Sequence, residues 1–141
     1  MLLTYLSFLL LLVTWNSYAN NEIRIFNTIG GSLKLIGDDD DYVMADNMAV
    51  YLNDTKLFSA DNPPVLHAYF SGLFHGDVAV IGMCANGGCL YRVIQISSIG
   101  SSRVSQSIGF ARIERATITH DFDTVKLNDL EYKLDLKFSY H

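Results

Sequence analysis

The chain has 141 residues, of which 50% are hydrophobic and 18% are charged, and its net charge at neutral pH is −5. This length is enough for one domain with a core of its own and too short for two. The acidic balance argues against nucleic acid and anionic membranes as partners, because both repel a negative surface. A basic protein partner is compatible with that charge.

Residues 1–19 have the pattern of a secretory signal peptide. An uncharged apolar run covers 1–13, and Ser17 and Ala19 place small residues at the −3 and −1 positions of a cleavage site. The run is short for a bilayer, so a retained anchor is the lesser alternative. We therefore expect an exported chain, periplasmic or secreted, with no stable membrane anchor and a single all-β domain over 20–141.

Short strands are predicted from residue 22 onward. The segments 22–27 and 32–37 flank a Gly30–Gly31 turn, and Leu33 and Leu35 share one face of the second segment. Two strands within 48–58 flank a turn that begins at Asn53, and 65–74 is a further strand. Asn53 also begins a glycosylation sequon, which has meaning only in a eukaryotic source. The four aspartates at 38–41 are interpreted as a solvated loop, with an irregular calcium site as the alternative.

The centre of the chain is predicted to be a β-hairpin. Apolar runs at 78–83 and 90–96 flank a turn at 86–88, and 78–83 is apolar on both faces, as in a strand covered on both sides. Cys84 and Cys89 would face each other across this hairpin, close enough to form a disulfide. Their spacing does not match a thioredoxin-like redox pair, and the histidines form no matching pair for zinc. No metal and no cofactor are predicted.

The last part of the chain has the clearest alternation. After a serine- and glycine-rich turn and edge strand at 97–107 and strands within 112–120 and 122–127, apolar residues occupy every second position over 130–138. Period two over nine residues predicts one half-buried antiparallel strand. Together these segments predict an all-β fold, an antiparallel sandwich or a barrel-like meander with one disulfide-closed hairpin.

Residues for catalysis are present but not arranged in a known motif. His75 and Asp77 flank one glycine, His120 and Asp121 are adjacent, and Ser71 lies nearby in sequence. No Gly-x-Ser-x-Gly elbow exists, and no cysteine is free if the disulfide forms. Histidines near turns are common on protein surfaces. We therefore predict no catalytic residue and no enzyme.

Binding is predicted at the hairpin turn and its flanks. The predicted binding residues are Asn86, Gly87, Gly88, Tyr91, Arg92 and His75. Aromatic residues and arginine anchor protein interfaces, and a loop closed by a disulfide loses little entropy on docking. The alternative is that the loop is only a turn. Tyr69, Phe70 and Phe74, which precede the hairpin, are predicted to be core side chains.

Three short segments carry a resemblance: Gly76-Asp77-Val78, Gly87-Gly88-Cys89 and Tyr91-Arg92. They resemble small exported bacterial β-domain proteins of unassigned function, which implies a periplasmic setting and no activity. Periplasmic lysozyme inhibitors and immunity proteins are similar in size and disulfide use, which is an analogy of class. The leading hypothesis is an inhibitor or immunity-type protein that neutralises a basic cell-wall hydrolase or a toxin. The alternative is a small-ligand-binding protein or small hydrolase with a pocket near His75.

Overall fold

The computed structural model describes residues 22–37, 48–110 and 115–138, and these residues form twelve β-strands and no α-helix. The fold is therefore all-β, as the alternation predicts. The predicted signal peptide and the aspartate run at 38–41 lie outside the described residues. Across the described ranges, no helix is long and apolar enough to cross a membrane.

The strands form three antiparallel sheets. The first sheet has the order β1-β2-β3-β4, the middle sheet has the order β5-β6-β7-β8 with β9 also paired to β7, and the third has the order β10-β11-β12. The strands are β1 Glu22–Thr28, β2 Gly31–Gly37, β3 Ala49–Leu52, β4 Thr55–Ser59, β5 Pro64–Leu73, β6 Gly76–Ala85, β7 Gly88–Ile96, β8 Ser102–Val104, β9 Ile108–Phe110, β10 Ala116–Ile118, β11 Thr124–Leu127 and β12 Leu130–Lys133.

The middle sheet carries a hydrophobic core on each of its faces. Along β6, Ala79 and Ile81 pack toward the first sheet, whereas Val78 and Val80 pack toward the third. Successive side chains of a strand point to opposite faces, so a strand buried on both sides must be apolar at every position. The prediction that 78–83 is covered on both sides is confirmed. The other core residues of the first interface include Leu33, Leu35, Val50, Leu52 and Ile94.

The short strands near the start of the chain follow the predicted pattern. Leu33 and Leu35 are both buried on one face of β2. The β3–β4 turn is at Asn53–Asp54, where Asn53 has a φ of 54°. Its side-chain amide donates to the Gly30 carbonyl at 3.1 Å and its oxygen accepts from the Ser32 amide at 3.1 Å. The asparagine of the sequon therefore ties two hairpin turns together.

The predicted nine-residue strand at 130–138 is wrong beyond its fourth residue. β12 ends at Lys133, although the Leu134 amide still donates to the Asp123 carbonyl at 2.8 Å and the Leu134 side chain stays in the core of the third sheet. Gln95, only 1% exposed, donates from Nε2 to the Asp135 carbonyl at 3.1 Å and accepts the Asp135 amide at 2.9 Å. A buried amide without partners is costly, so the backbone at Asp135 leaves the strand to satisfy the Gln95 side chain.

Candidate binding site at the disulfide-closed turn

The hairpin turn between β6 and β7 is a two-residue turn with both residues at positive φ. Asn86 has a φ of 41° and Gly87 a φ of 86°, as in the type I′ turn that matches the twist of paired strands. Cys84 and Cys89 are direct cross-strand partners and are bonded to each other. The predicted disulfide is confirmed, and such bonds are typical of oxidising compartments. Residues 84–88 are all exposed, so the hairpin ends in a rigid projecting tip.

A pocket of about 320 Å³ lies beside the base of this tip. Its described lining residues are Pro63, Val65, His67, Gly82, Cys84 and Tyr91. The rings of His67 and Tyr91 meet edge to face with centroids 5.4 Å apart. A Cβ on Gly82 would lie 3.1 Å from the ring of Tyr91, its cross-strand partner, so the glycine leaves room for that ring. The disulfide thus borders both the turn and the pocket.

The predicted binding residues do not form one site. Asn86, Gly87 and Gly88 are exposed at the tip. Tyr91 is 1% exposed and belongs to the core between the middle and third sheets, so its bulk supports the fold and is not available to a macromolecule. Sequence neighbours on a strand face opposite sides, and Arg92 therefore points away from Tyr91 toward the first sheet.

Arg92 joins two sheets. Its Nη1 donates to the Ser105 carbonyl at 3.0 Å, and its guanidinium carbon lies 4.9 Å from the centroid of the Phe58 ring on β4. A cation over an aromatic face is stabilising, more so when partly buried. These contacts give Arg92 a structural role at the edge of the first core, on the opposite side of the hairpin from the pocket.

His75 lies at the other end of the hairpin from the tip. The ten-residue strand β6 separates the two, which is about 33 Å at ~3.3 Å per residue. The side chain is fully buried, with its Nε2 donating to the Phe122 carbonyl at 2.6 Å and its Nδ1 buried without a hydrogen-bond partner. His75 therefore links the middle sheet to the third sheet, and its burial does not fit the predicted pocket near His75.

Asp77 forms a second buried polar link at this end. It is 3% exposed and accepts hydrogen bonds from the Tyr69 hydroxyl and, at 2.8 Å, from the Ile29 amide. Burial, followed by the hydrogen bond to Asp77 and its negative charge, raises the pKa of Tyr69 well above its usual value. The carboxylate thus connects β5, β6 and the β1–β2 turn.

The side chains considered for catalysis have other partners. His75 binds Phe122 and Asp77 binds Tyr69 and Ile29, so these two do not form a relay with each other. The His120 Nε2 atom lies 3.2 Å from Asp121 Oδ1, and both side chains are exposed. Within the described ranges, no three His, Cys, Asp or Glu side chains are grouped to hold a metal ion.

Sequence reasoning missed the pocket and misplaced one aromatic side chain. Val65 and His67 are two residues apart on β5, so the alternation of a strand predicts that they share a face. The alternation does not predict that this face contacts Tyr91. Tyr69 and Phe70 are half-buried and pack against the two cores, as predicted. Phe74 is 61% exposed, so its prediction as a core residue is wrong. It sits at the tip of a two-residue turn, beyond either core.

Comparisons with protein-family models, with curated proteins and with solved structures find no match to this chain. The function proposed for this chain therefore rests on its own residues, above all on the rigid tip at 84–88.

Proposed function

We propose that the chain is an exported protein-binding module, periplasmic or secreted, that neutralises a basic cell-wall hydrolase or a toxin. The disulfide-closed turn would be inserted into the partner's cleft. The observation that supports this most is the geometry of the tip, in which Asn86 and Gly87 are exposed while the Cys84–Cys89 bond closes the loop behind them.

The tip is ordered before it meets a partner. A two-residue type I′ turn has few alternative conformations when only one cross-strand pair, Ala85 and Gly88, separates it from a disulfide. Binding therefore costs less conformational entropy than it would for a long flexible loop. A Cβ at Gly87 would meet nothing within 4 Å, so the tip leaves space for a partner's surface to approach its backbone.

Electrostatics favours a basic partner. The net charge of −5 would attract a cationic hydrolase and speed the encounter, and added salt would weaken that attraction. The same charge opposes binding to anionic lipids and nucleic acids.

The test is a binding and inhibition assay against basic muramidases and amidases, with the protein purified after export. Asn86→Gly removes the tip side chain and keeps the positive φ, and Asn128→Gly is the matched control because Asn128 occupies a turn at a φ of 54°. We expect at least a tenfold loss of affinity for the first variant and none for the second, with binding weaker at high salt. Equal affinity of both variants would remove the tip from the proposal, and no binding or inhibition across the panel would refute neutralisation of a cell-wall hydrolase.

The pocket beside the tip favours small-ligand binding as a second candidate. Its volume of about 320 Å³ is at the lower end of ligand sites, and His67 supplies a polar group on a mostly apolar wall. Chemical-shift mapping with a fragment library is the direct test. Shifts confined to this pocket that disappear in His67→Ala would support the candidate, and a library that shifts no pocket resonance would reject it.

A further inference from the structure

Four turns meet at the end of the molecule opposite the disulfide. They are the β1–β2, β5–β6, β7–β8 and β10–β11 turns, and each carries one large apolar side chain at or near its tip. These side chains are Ile29, Phe74, Ile99 and Phe122, and we call the surface that they form the apolar end. Their exposed fractions are 50%, 61%, 73% and 42% in that order, and none of them belongs to either core.

Specific contacts between the sheets hold the four turns together. The Ile29 amide donates to Asp77 at 2.8 Å, which fixes the β1–β2 turn to the base of β6. A Cβ on Gly30 would overlap the carbonyl oxygen of Ser97, so this turn lies directly against the β7–β8 turn that carries Ile99. The apolar end is thus built on rigid contacts and not on a loose loop.

Buried His75 positions the two phenylalanines. Its ring meets the Phe74 ring edge to face, with centroids 4.8 Å apart, and its Nε2 donates to the Phe122 carbonyl at 2.6 Å. Phe122 has a φ of 57°, a conformation that a bulky residue adopts at a cost. The fold therefore keeps an aromatic residue in a disfavoured backbone conformation while leaving that residue 42% exposed.

The exposed area fits a contact between two copies of the chain. At these exposed fractions, the four side chains present roughly 400 Å² of apolar surface per copy, given ~150–250 Å² for a fully buried aromatic side chain. If all of this surface were covered, two copies would bury about 800 Å² of apolar area, close to the roughly 65% apolar share of a specific interface of about 1,200 Å², the smallest standard size. Apolar patches of this size on a monomer often mark an interface.

The polar side chains beside the apolar end allow it to face a second copy of itself. Its four turns contain no lysine or arginine, and His120, 92% exposed, lies beside Asp121, 69% exposed. In a twofold arrangement the same patch faces itself, so an imidazole N–H of His120 in each copy can donate a hydrogen bond to the Asp121 carboxylate of the other. We propose that the apolar end is a homodimer interface, through which two copies associate end to end and leave both disulfide-closed tips free at the far ends.

The test is sedimentation equilibrium of the exported, oxidised protein from micromolar to millimolar concentration at physiological salt. Wild type should show a monomer–dimer equilibrium. Ile99→Ser and Phe74→Ser should each raise the dimer dissociation constant at least tenfold. Ile25→Ser is the matched control, since Ile25 is 62% exposed on the edge strand β1 and should leave the constant unchanged. Because Ile99 contributes to neither core, its variant should keep the wild-type circular dichroism and melting temperature.

Three outcomes would overturn the proposal. One is a wild-type protein that stays monomeric up to millimolar concentration. Another is Ile99→Ser and Phe74→Ser variants that dimerise as strongly as wild type. The third is a monomer that floats with phosphatidylcholine vesicles, which would assign the apolar end to lipid. Asn86→Gly should leave dimerisation unchanged, so failure of the dimer and failure of the partner-binding tip can be told apart.

Discussion

Removing the carboxylate of Asp77 should lower the free energy of unfolding by about 2–4 kcal/mol. Asp77→Ala leaves the Tyr69 hydroxyl and the Ile29 amide without their acceptor in a site where the aspartate is 3% exposed. A buried donor that loses its partner costs roughly 1–3 kcal/mol, and the amide, at a turn, can recover part of this by binding water. The substitution also removes the desolvation cost of the buried carboxylate, which offsets a further part of the loss.

The measurement is urea unfolding of wild type, Asp77→Ala, Tyr69→Phe and the double variant, as a thermodynamic cycle. We expect Asp77→Ala to lower the midpoint without changing the slope, and we expect a coupling energy of roughly 1 kcal/mol or more between the two positions. Asp77→Asn, which keeps an acceptor oxygen of the same shape, should cost less than Asp77→Ala. An Asp77→Ala variant within about 0.5 kcal/mol of wild type, or strictly additive losses, would refute the assigned role of this carboxylate.

Three further predictions concern pH, the buried amide and the joint between turns. Because the pKa of Tyr69 is raised in the folded state, its stabilising contribution is complete below pH ~10 and is lost as the pH rises above that value. Between pH 9 and 11, the urea midpoint should therefore fall less in Tyr69→Phe than in wild type. Gln95→Ala should lower the free energy of unfolding, measured by thermal unfolding, by about 2–3 kcal/mol, since it deletes two hydrogen bonds to Asp135 and leaves a small cavity. Stability equal to that of wild type would show that water replaces the side-chain amide. Gly30→Ala should lower the melting temperature and speed amide exchange at Ser97, because the added methyl overlaps the Ser97 carbonyl. A variant with wild-type exchange at Ser97 would contradict this close approach.

Local alternation was enough to predict much of the fold. The all-apolar run at 78–83 and the alternating Leu33 and Leu35 each depend on a strand's two faces, which are fixed by period two alone. The central turn was equally accessible, because Asn86 and Gly87 are residue types that tolerate positive φ. The strand order and the existence of a third sheet were not predicted, since they depend on pairings between distant segments.

Two of the errors come from long-range polar contacts. The alternation over 130–138 is overridden at Asp135 by Gln95, forty residues earlier in the chain. The buried His75 ring donates to the Phe122 carbonyl, forty-seven residues away, and no local sequence pattern predicts this contact. The turn at 86–88 is exposed, as expected. Tyr91 and Arg92 were grouped with it although adjacent residues on a strand cannot share a face.

The position of β6 between two cores has a consequence for how the protein comes apart. Its side chains contribute to both hydrophobic layers, and its backbone is hydrogen-bonded to β5 on one side and β7 on the other. If the first or the third sheet alone unfolded, one face of β6 would be exposed to solvent while the other stayed packed. The amide protons of 78–83 should therefore exchange only through global unfolding, whereas those of the outer sheets can exchange through partial openings. The exchange rates of the β6 amides should therefore report the free energy of global unfolding.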